Sequence, residues 1–424
     1  MSELLLKNAR IVDPVRNIDE VGDIAIADGV IVDAAALKSP EVIDLTGKVL
    51  SPGFIDVHVH LRQPGNTNAE TIASGTAAAA AGGFTSIVAM PNTSPSADTA
   101  GAIEYIRQIA DAQGVVKVLP CGNMTKGGKG EEMAGIGSLK NAGVVALSDD
   151  GKCIQDHGLM RHVVEYAKSF DLPILDHCEE STLAAGGVMN EGKWSVLLGM
   201  NGIPGASEEL IIARNIIFAR EINWKIHMQH VSTRDSVDMI RRARAKGIPV
   251  TGEATPHHLS LNDECVKKFD TNYKMNPPLR SEDDRQALIE GIADGTITVI
   301  ATDHAPHTQT AKLVEFDHAP FGIIGLETAL PVCFTQLVVP GIISIPQLIA
   351  KLTAGPAEVL GVKDYSLAIG NAADITVFDP EAEYVIDKNT FRSKARNTPF
   401  DGMKVRGKIN LTVVDGKIVY REGC

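Results

Sequence analysis

"GFIDVHVHLRQPG", residues 53–65, decides how this chain is read. An apolar run ends in His58 and His60, and Arg62 and Pro64 follow at once. In a β-strand, residues i and i+2 point to the same face. The two imidazoles therefore project side by side and form a two-point clamp for a metal ion. Strand histidines are also held by ordinary hydrogen bonds, so the pair gains meaning only from its surroundings.

Further apolar runs of strand length follow: "FTSIVAM" (84–90), "VKVLPCG" (116–122), "VVALSD" (144–149), "PILDHC" (173–178), "KIHMQHV" (225–231), "PVTGEAT" (249–255) and "ITVIATDH" (297–304). Amphipathic helix patterns lie between them. "STRDSVDMIRRARAKG" (232–247) offers Ser232 as N-cap, Asp235 three residues on and Gly247 as the stop, and "SEDDRQALIEGIADG" (281–295) repeats the device with Ser281, Asp284 and Gly295. Strands that each lead into a helix or a long connection predict an α/β fold, a parallel (β/α)8 TIM-like barrel. Two connections are long, about 179–208 and 254–281. Barrels of this kind carry their sites on such loops, at the strand C-termini.

The chain ends read differently. "DIAIADGVIVDAA" (23–35) and "INLTVVDGKIVYREG" (409–423) each hold a D-G hairpin signal between β-type runs. A parallel barrel has no place for them. The economical division is a small composite β-sandwich domain from residues 1–50 and 365–424 around a barrel of residues 51–364.

Bulk properties narrow the class. The 424 residues are 44% hydrophobic with net charge −13. That is a globular composition, and its charge argues against nucleic acid, whose phosphates need a basic surface. Six scattered cysteines without a C-x-x-C motif read as reduced thiols in a cytoplasm. "MSELLLKNARIVD" lacks the apolar segment of a secretory signal. The most apolar stretch, residues 328–352, is cut by Pro331, Pro340 and Pro346 and reads as buried helices and turns rather than a membrane span.

Polar residues collect where the strands stop. The first run ends in His58 and His60, the fourth in Asp149 and Asp150, the fifth in His177 before Cys178 and Glu179, the sixth in His230, the eighth in Asp303 before His304. In a barrel these ends share one mouth. Each residue alone has an ordinary explanation: a satisfied core histidine, a helix cap, a turn aspartate. Together they exceed the needs of one tetrahedral ion and suit two divalent ions sharing a carboxylate and a hydroxide. Asp303 is placed to take a proton from that hydroxide and deliver it onward. Arg62 stands at the same mouth, and a guanidinium grips a carboxylate bidentately.

"GFIDVHVHLRQPG", "AMPNTSP" (89–95), "SDDG" (148–151), "DHCEE" (176–180), "HMQHVST" (227–233), "YKMNPPLR" (273–280), "ATDHAPHT" (301–308) and "APFGIIGLET" (319–328) together resemble the type I dihydroorotases of the amidohydrolase superfamily, along about residues 4–421. The resemblance implies reversible hydrolysis of L-dihydroorotate to N-carbamoyl-L-aspartate in pyrimidine synthesis. It implies two divalent ions, zinc first among them: one on His58, His60 and Asp303, the other on His177 and His230. Many superfamily members bridge the ions with a carbamylated lysine, whereas here the likeness gives the bridge to Asp150, with Asp149 and a carbamylated Lys152 as alternatives. It makes Arg62 the carboxylate-binding residue, with Asn92 and His307 as companions and Asn276 at the ring edge. Phe321 and Gly322 offer backbone hydrogen bonds to the ring, behind a polar, flexible-looking loop at 308–320. His257 and His258 read as structural, and Cys178 as a buried thiol with zinc coordination as the alternative. Similar proteins are often homodimers, and aspartate transcarbamoylase is a natural partner because its product is this substrate. The rival readings are a hydantoinase- or allantoinase-type cyclic amidase and a catalytically silent scaffold subunit of that transcarbamoylase.

Overall fold

The computed structural model describes residues 3–423; Met1, Ser2 and Cys424 lie outside the described residues. Eight parallel strands form one sheet in chain order. They are β1 (Phe54–Val59), β2 (Phe84–Ala89), β3 (Lys117–Gly122), β4 (Ala146–Leu147), β5 (Ile174–Asp176), β6 (Ile226–Met228), β7 (Val250–Ala254) and β8 (Val299–Ile300). The sheet nearly closes. Val59 bridges His304 in parallel, and the His60 N–H donates to the His304 carbonyl at 2.9 Å. The molecule is thus an α/β protein built on a (β/α)8 barrel. One apolar cluster draws on most of the strands, with Ile55, Val57, Val88, Cys121, Leu175 and Val299 among its members, as a filled barrel interior requires.

Two details of the barrel bear on the mouth. The pairing of β1 with β2 shifts register between Asp56 and Val59, beside the two histidines. Such irregularities re-aim side chains next to functional sites. Asp56 accepts the His58 N–H at 3.0 Å and the Thr302 hydroxyl at 2.6 Å, tying the end of β1 to the end of β8.

The remaining large sheet comes from both chain ends. Its order runs Lys417–Arg421, Lys404–Val414, Ile375–Val385, Val49–Pro52, Leu4–Asp13, Ile18–Ala27, Val30–Val32, with Glu41–Asp44 beside Leu4–Asp13. Leu6, Ile26, Leu50, Ile375, Val377 and Leu411 share its core. Both D-G signals are hairpin turns, with φ of +54° and +83° at Asp28 and Gly29 and +45° and +72° at Asp415 and Gly416. The turns touch: a Cβ on Gly416 would lie 2.9 Å from the Gly29 Cα.

The helix signals hold with one shift. Ser281 caps Glu282–Asp294 in a capping box with Asp284, and Gly295 ends it at φ +83°. The helix Arg234–Ala245 is capped by Thr233, not Ser232, because Ser232 is engaged with the buried Glu208 carboxylate. The apolar stretch 328–352 contains the helices Ala329–Cys333 and Ile345–Leu352. Among the described residues no helix is long and apolar enough to cross a membrane, and all five cysteines are free thiols.

Candidate active site

The strand ends do converge. Three groups of donor atoms lie close enough to hold an ion: His58, His230 and Asp303; His58, His60 and Asp150; Asp150, His177 and His230, all buried. Asp150 sits at the centre. Its Oδ2 is 3.3 Å from His60 Nε2, while its Oδ1 is 3.2 Å from His58 Nε2, 3.7 Å from His177 Nδ1 and 4.0 Å from His230 Nε2. Asp303 Oδ1 lies 3.0 Å from His60 Nε2 and 3.5 Å from His58 Nε2. Asp149 points elsewhere. It accepts from Asn123 Nδ2 at 3.0 Å and from the Met124 and Thr125 amides at 2.9 and 3.2 Å. Lys152 is exposed. Cys178 is outside the donor groups, with Sγ 3.5 Å from Asn215 Nδ2.

The electrostatics show what the cluster demands. Burial opposes a charge on His58, yet Asp303, Asp150 and Glu253 hold it protonated far above the ordinary histidine range. Burial likewise opposes His177, and Asp150 and Glu179 still lift it to about 10. His230 is pushed well down by burial and by those two neighbours. The carboxylates therefore call for positive charge inside a dry site. His58 Nε2 is also a buried polar atom without a hydrogen-bond partner. Imidazole nitrogens and carboxylate oxygens at this spacing are the donor set of a divalent ion, and a cation among them answers both observations.

Of the residues expected to bind metal or substrate, all but His58 line one cavity of about 380 Å³. Arg62 reaches it from a left-handed backbone (φ +57°), and its Nε donates to the Pro306 carbonyl at 3.2 Å. His230 (+29°) and Asp303 (+43°) share this strain. Bulky residues adopt such angles only where the surroundings force them, and functional sites are where this is found.

Several side chains expected at the substrate are engaged with the protein. Asn92 takes His60 Nδ1 on its Oδ1 at 2.9 Å and donates to Asp150 Oδ2 at 3.2 Å. His307 is pushed down to about 3 by burial and by the charges of Arg62 and Lys312, so it is neutral, and its Nε2–H donates to the Phe321 carbonyl at 2.7 Å. The Gly322 N–H donates to the Lys274 carbonyl at 3.0 Å. Asn276 donates to Glu179 Oε2 at 2.8 Å, while its buried Oδ1 has no partner. His258 is structural, bonded to Thr255 Oγ1 at 2.8 Å and to the Pro277 carbonyl at 2.9 Å.

The loop at 308–320 is pinned rather than loose. Lys312 Nζ donates to the Thr271 and Pro320 carbonyls at 2.9 and 2.8 Å, and Lys274 Nζ to those of Phe316 and Asp317 at 2.7 and 3.0 Å. Sequence reading missed these lysines, and it missed Asn397. From the far end of the chain Asn397 donates to the Ala305 and Gly322 carbonyls at 3.0 Å each and accepts the His307 N–H at 3.0 Å. It missed Glu253 too, whose Oε1 lies 2.7 Å from His58 Nδ1. An acid in the apolar run "PVTGEAT" was the available signal for Glu253; Asn397 left none.

A barrel whose mouth gathers histidines and aspartates around an arginine-lined cavity has the make-up of a hydrolase that uses a divalent metal. Residues 47–236 match the dihydro-orotase-like family model and residues 294–420 the amidohydrolase family model. The chain is 48% identical to the dihydroorotase of Thermoanaerobacter sp. (strain X514), over 99% of this chain and 97% of that one. The dihydroorotase of Pelotomaculum thermopropionicum is also 48% identical, over 99% of both. Among solved structures, the L-hydantoinase (dihydropyrimidinase) from Arthrobacter aurescens superposes with TM-score 0.90 at 26% identity, over 100% of this chain and 97% of that one. The chain belongs to the dihydroorotase family.

Proposed function

We propose that the chain catalyses the reversible hydrolysis of L-dihydroorotate to N-carbamoyl-L-aspartate at this mouth, with two divalent ions, zinc first among them. The observation that carries the reading is the Asp150 carboxylate lying between the histidine sets in a cavity that also holds the Arg62 guanidinium. His58, His60 and Asp303 would hold one ion and His177 and His230 the other, with Asp150 within reach of both sets. When bound, such ions supply Lewis acidity, acidifying water and polarising a carbonyl.

The chain's own residues do the rest. Arg62 grips the ring carboxylate with the guanidinium nitrogens left over from Pro306. Asn276 Oδ1 accepts a ring N–H. Phe321 and Gly322 wall the ring, His307 holds that wall in place, and Asn92 borders the substrate cavity while orienting His60. Asp303 takes a proton from the attacking water and delivers it to the ring nitrogen as the C–N bond breaks. Residues 1–50 and 365–424 act as one domain around the barrel of 51–364. The free thiols suit a cytoplasmic protein.

The test is ring opening by the purified protein. L-dihydroorotate, hydantoin, dihydrouracil and allantoin run in parallel, with metal content measured on the same sample. The expected result is opening of dihydroorotate in strong preference to the other rings, lost on chelation and restored by Zn²⁺. Turnover of another ring instead rejects the substrate. Metal-loaded protein that opens nothing rejects the activity of the isolated chain, and adding aspartate transcarbamoylase then tests the scaffold reading; size measurement in the same run tests the homodimer.

Gly322 gives a second test. Its φ is +150°, and a Cβ there would lie 2.6 Å from the Ala305 carbonyl oxygen and 2.7 Å from His307 Cδ2. Gly322→Ala is expected to cost about 1–3 kcal/mol of stability through overpacking and to raise KM several-fold, read by thermal unfolding and steady-state kinetics.

A further inference from the structure

Glu253 is the last residue but one of β7 and is fully buried, as is His227 on β6. An isolated buried carboxylate is costly, so its partners carry its meaning. Its Oε1 faces two donors: the Nδ1 of His58 at 2.7 Å and the backbone N–H of His230 at 3.1 Å. Its Oε2 faces His227 Nε2 at 3.0 Å, and His227 Nδ1 meets the Thr251 hydroxyl at 2.8 Å. The Glu253 carbonyl also accepts the Val231 N–H at 2.9 Å. One residue therefore brackets His230 from both sides, at the point where its backbone is forced to φ +29°.

We infer that Glu253 is a positioning residue for the metal centre, which fixes the ring of His58 and the backbone of His230 together, and that His227 holds Glu253 in turn. Glu253, at 2.7 Å, sets the direction at His58 Nδ1 over the Gln229 Nε2 that also faces it at 3.2 Å. A carboxylate accepts, so in the metal-loaded site His58 would keep its proton on Nδ1 and give up the one on Nε2, presenting that lone pair to the cluster. Likewise His227 carries its proton on Nε2, and its Nδ1 accepts the Thr251 hydroxyl. Histidine ligands elsewhere are oriented by such carboxylates, whose loss costs metal affinity. Here the same carboxylate serves ligands assigned to different ions, so both sites depend on one side chain. The chain of bonds runs down the barrel from the mouth. At its lower end His227 borders a separate cavity of about 330 Å³ lined by Lys225 and Arg244.

This inference rests on the metal-centre reading, and its test uses no substrate. Metal-stripped wild type, Glu253→Gln and His227→Asn are titrated with Co²⁺, followed by visible absorption and by equilibrium dialysis, with thermal unfolding of the metal-free proteins alongside. Glu253→Gln keeps the shape and loses the charge. It is expected to weaken Co²⁺ binding about ten- to hundred-fold and to alter the Co²⁺ bands, with a smaller loss for His227→Asn. A Glu253→Gln protein that binds Co²⁺ with wild-type affinity and spectrum overturns the inference, whatever its unfolding temperature. If that variant fails to fold, the wild type decides. Nitrogen-15 shifts of the His58 ring in Zn²⁺-loaded protein, assigned by their loss in His58→Asn, should show a protonated Nδ1; an unprotonated Nδ1 overturns the inference. Weakened Co²⁺ binding in Glu253→Gln alongside a wild type that opens no dihydroorotate would reject the substrate and leave the positioning role standing.

Discussion

Asp303→Asn is expected to lower the turnover of L-dihydroorotate by about 10²–10⁴-fold, the span typical of removing a positioned proton-transfer group. The substitution keeps the size of the side chain and one coordinating oxygen but removes the basicity. The residue is held from several directions, which is why the variant should keep its shape. Asp56 accepts the Thr302 N–H and hydroxyl one position earlier, at 3.2 and 2.6 Å, and the His304 N–H donates to Thr302 Oγ1 at 3.0 Å one position later. Asp303 Oδ1 lies within 3.5 Å of the Nε2 atoms of both His58 and His60. Some loss of metal is therefore expected as well, and the rate must be measured at saturating Zn²⁺ with the bound metal counted. Near-normal turnover at full metal content would exclude Asp303 as the proton shuttle and leave it only as a donor to the ion.

The legibility of this site in the sequence follows from how each residue is fixed. His58, His60, His177, His230 and Asp303 stand at the ends of apolar runs, and strand alternation with barrel closure brings such ends together without further information. Asp150 was separable from Asp149 only through the family likeness, because adjacent residues in one turn differ only in side-chain direction; in the structure the donors of Asn123, Met124 and Thr125 draw Asp149 away. Thr233 replaced Ser232 as a cap for a similar reason, since Glu208, more than twenty residues earlier, competes for the serine. Glu253 was visible only as an acid inside an apolar strand, and its partners come from β1 and β6. Asn397 was out of reach altogether: it bonds Ala305, 92 residues away in sequence, from a segment that local pattern assigns to another part of the fold. The loop at 308–320 looked flexible because its composition is polar, and composition does not record that two buried lysines fasten it to carbonyls.

Arg62→Met should separate this chain from the hydantoinases it superposes on, because the fold alone does not choose the ring. At TM-score 0.90 and 26% identity, an L-hydantoinase shares the whole architecture. Dihydroorotate differs from dihydrouracil by a carboxylate on the ring, and that group needs a cation. Arg62 lines the cavity from a strained backbone with only Nε engaged, on Pro306, among the hydrogen bonds of the described residues. Removing one partner of a desolvated charge pair costs about 3–5 kcal/mol, which corresponds to a loss of roughly 10²–10³-fold or more in kcat/KM for dihydroorotate. Met keeps the apolar stem and loses the charge. Any residual opening of dihydrouracil, which offers no carboxylate, should be unchanged or improved, so the preference for dihydroorotate should collapse. The comparison is internal, because a merely structural role for Arg62 through its bond to Pro306 would lower both rings alike. Equal loss on the two substrates would therefore move carboxylate recognition to another group at this mouth. A loss confined to dihydroorotate would make one guanidinium, two residues beyond "VHVH", the feature that turns a general cyclic amidase into a dihydroorotase.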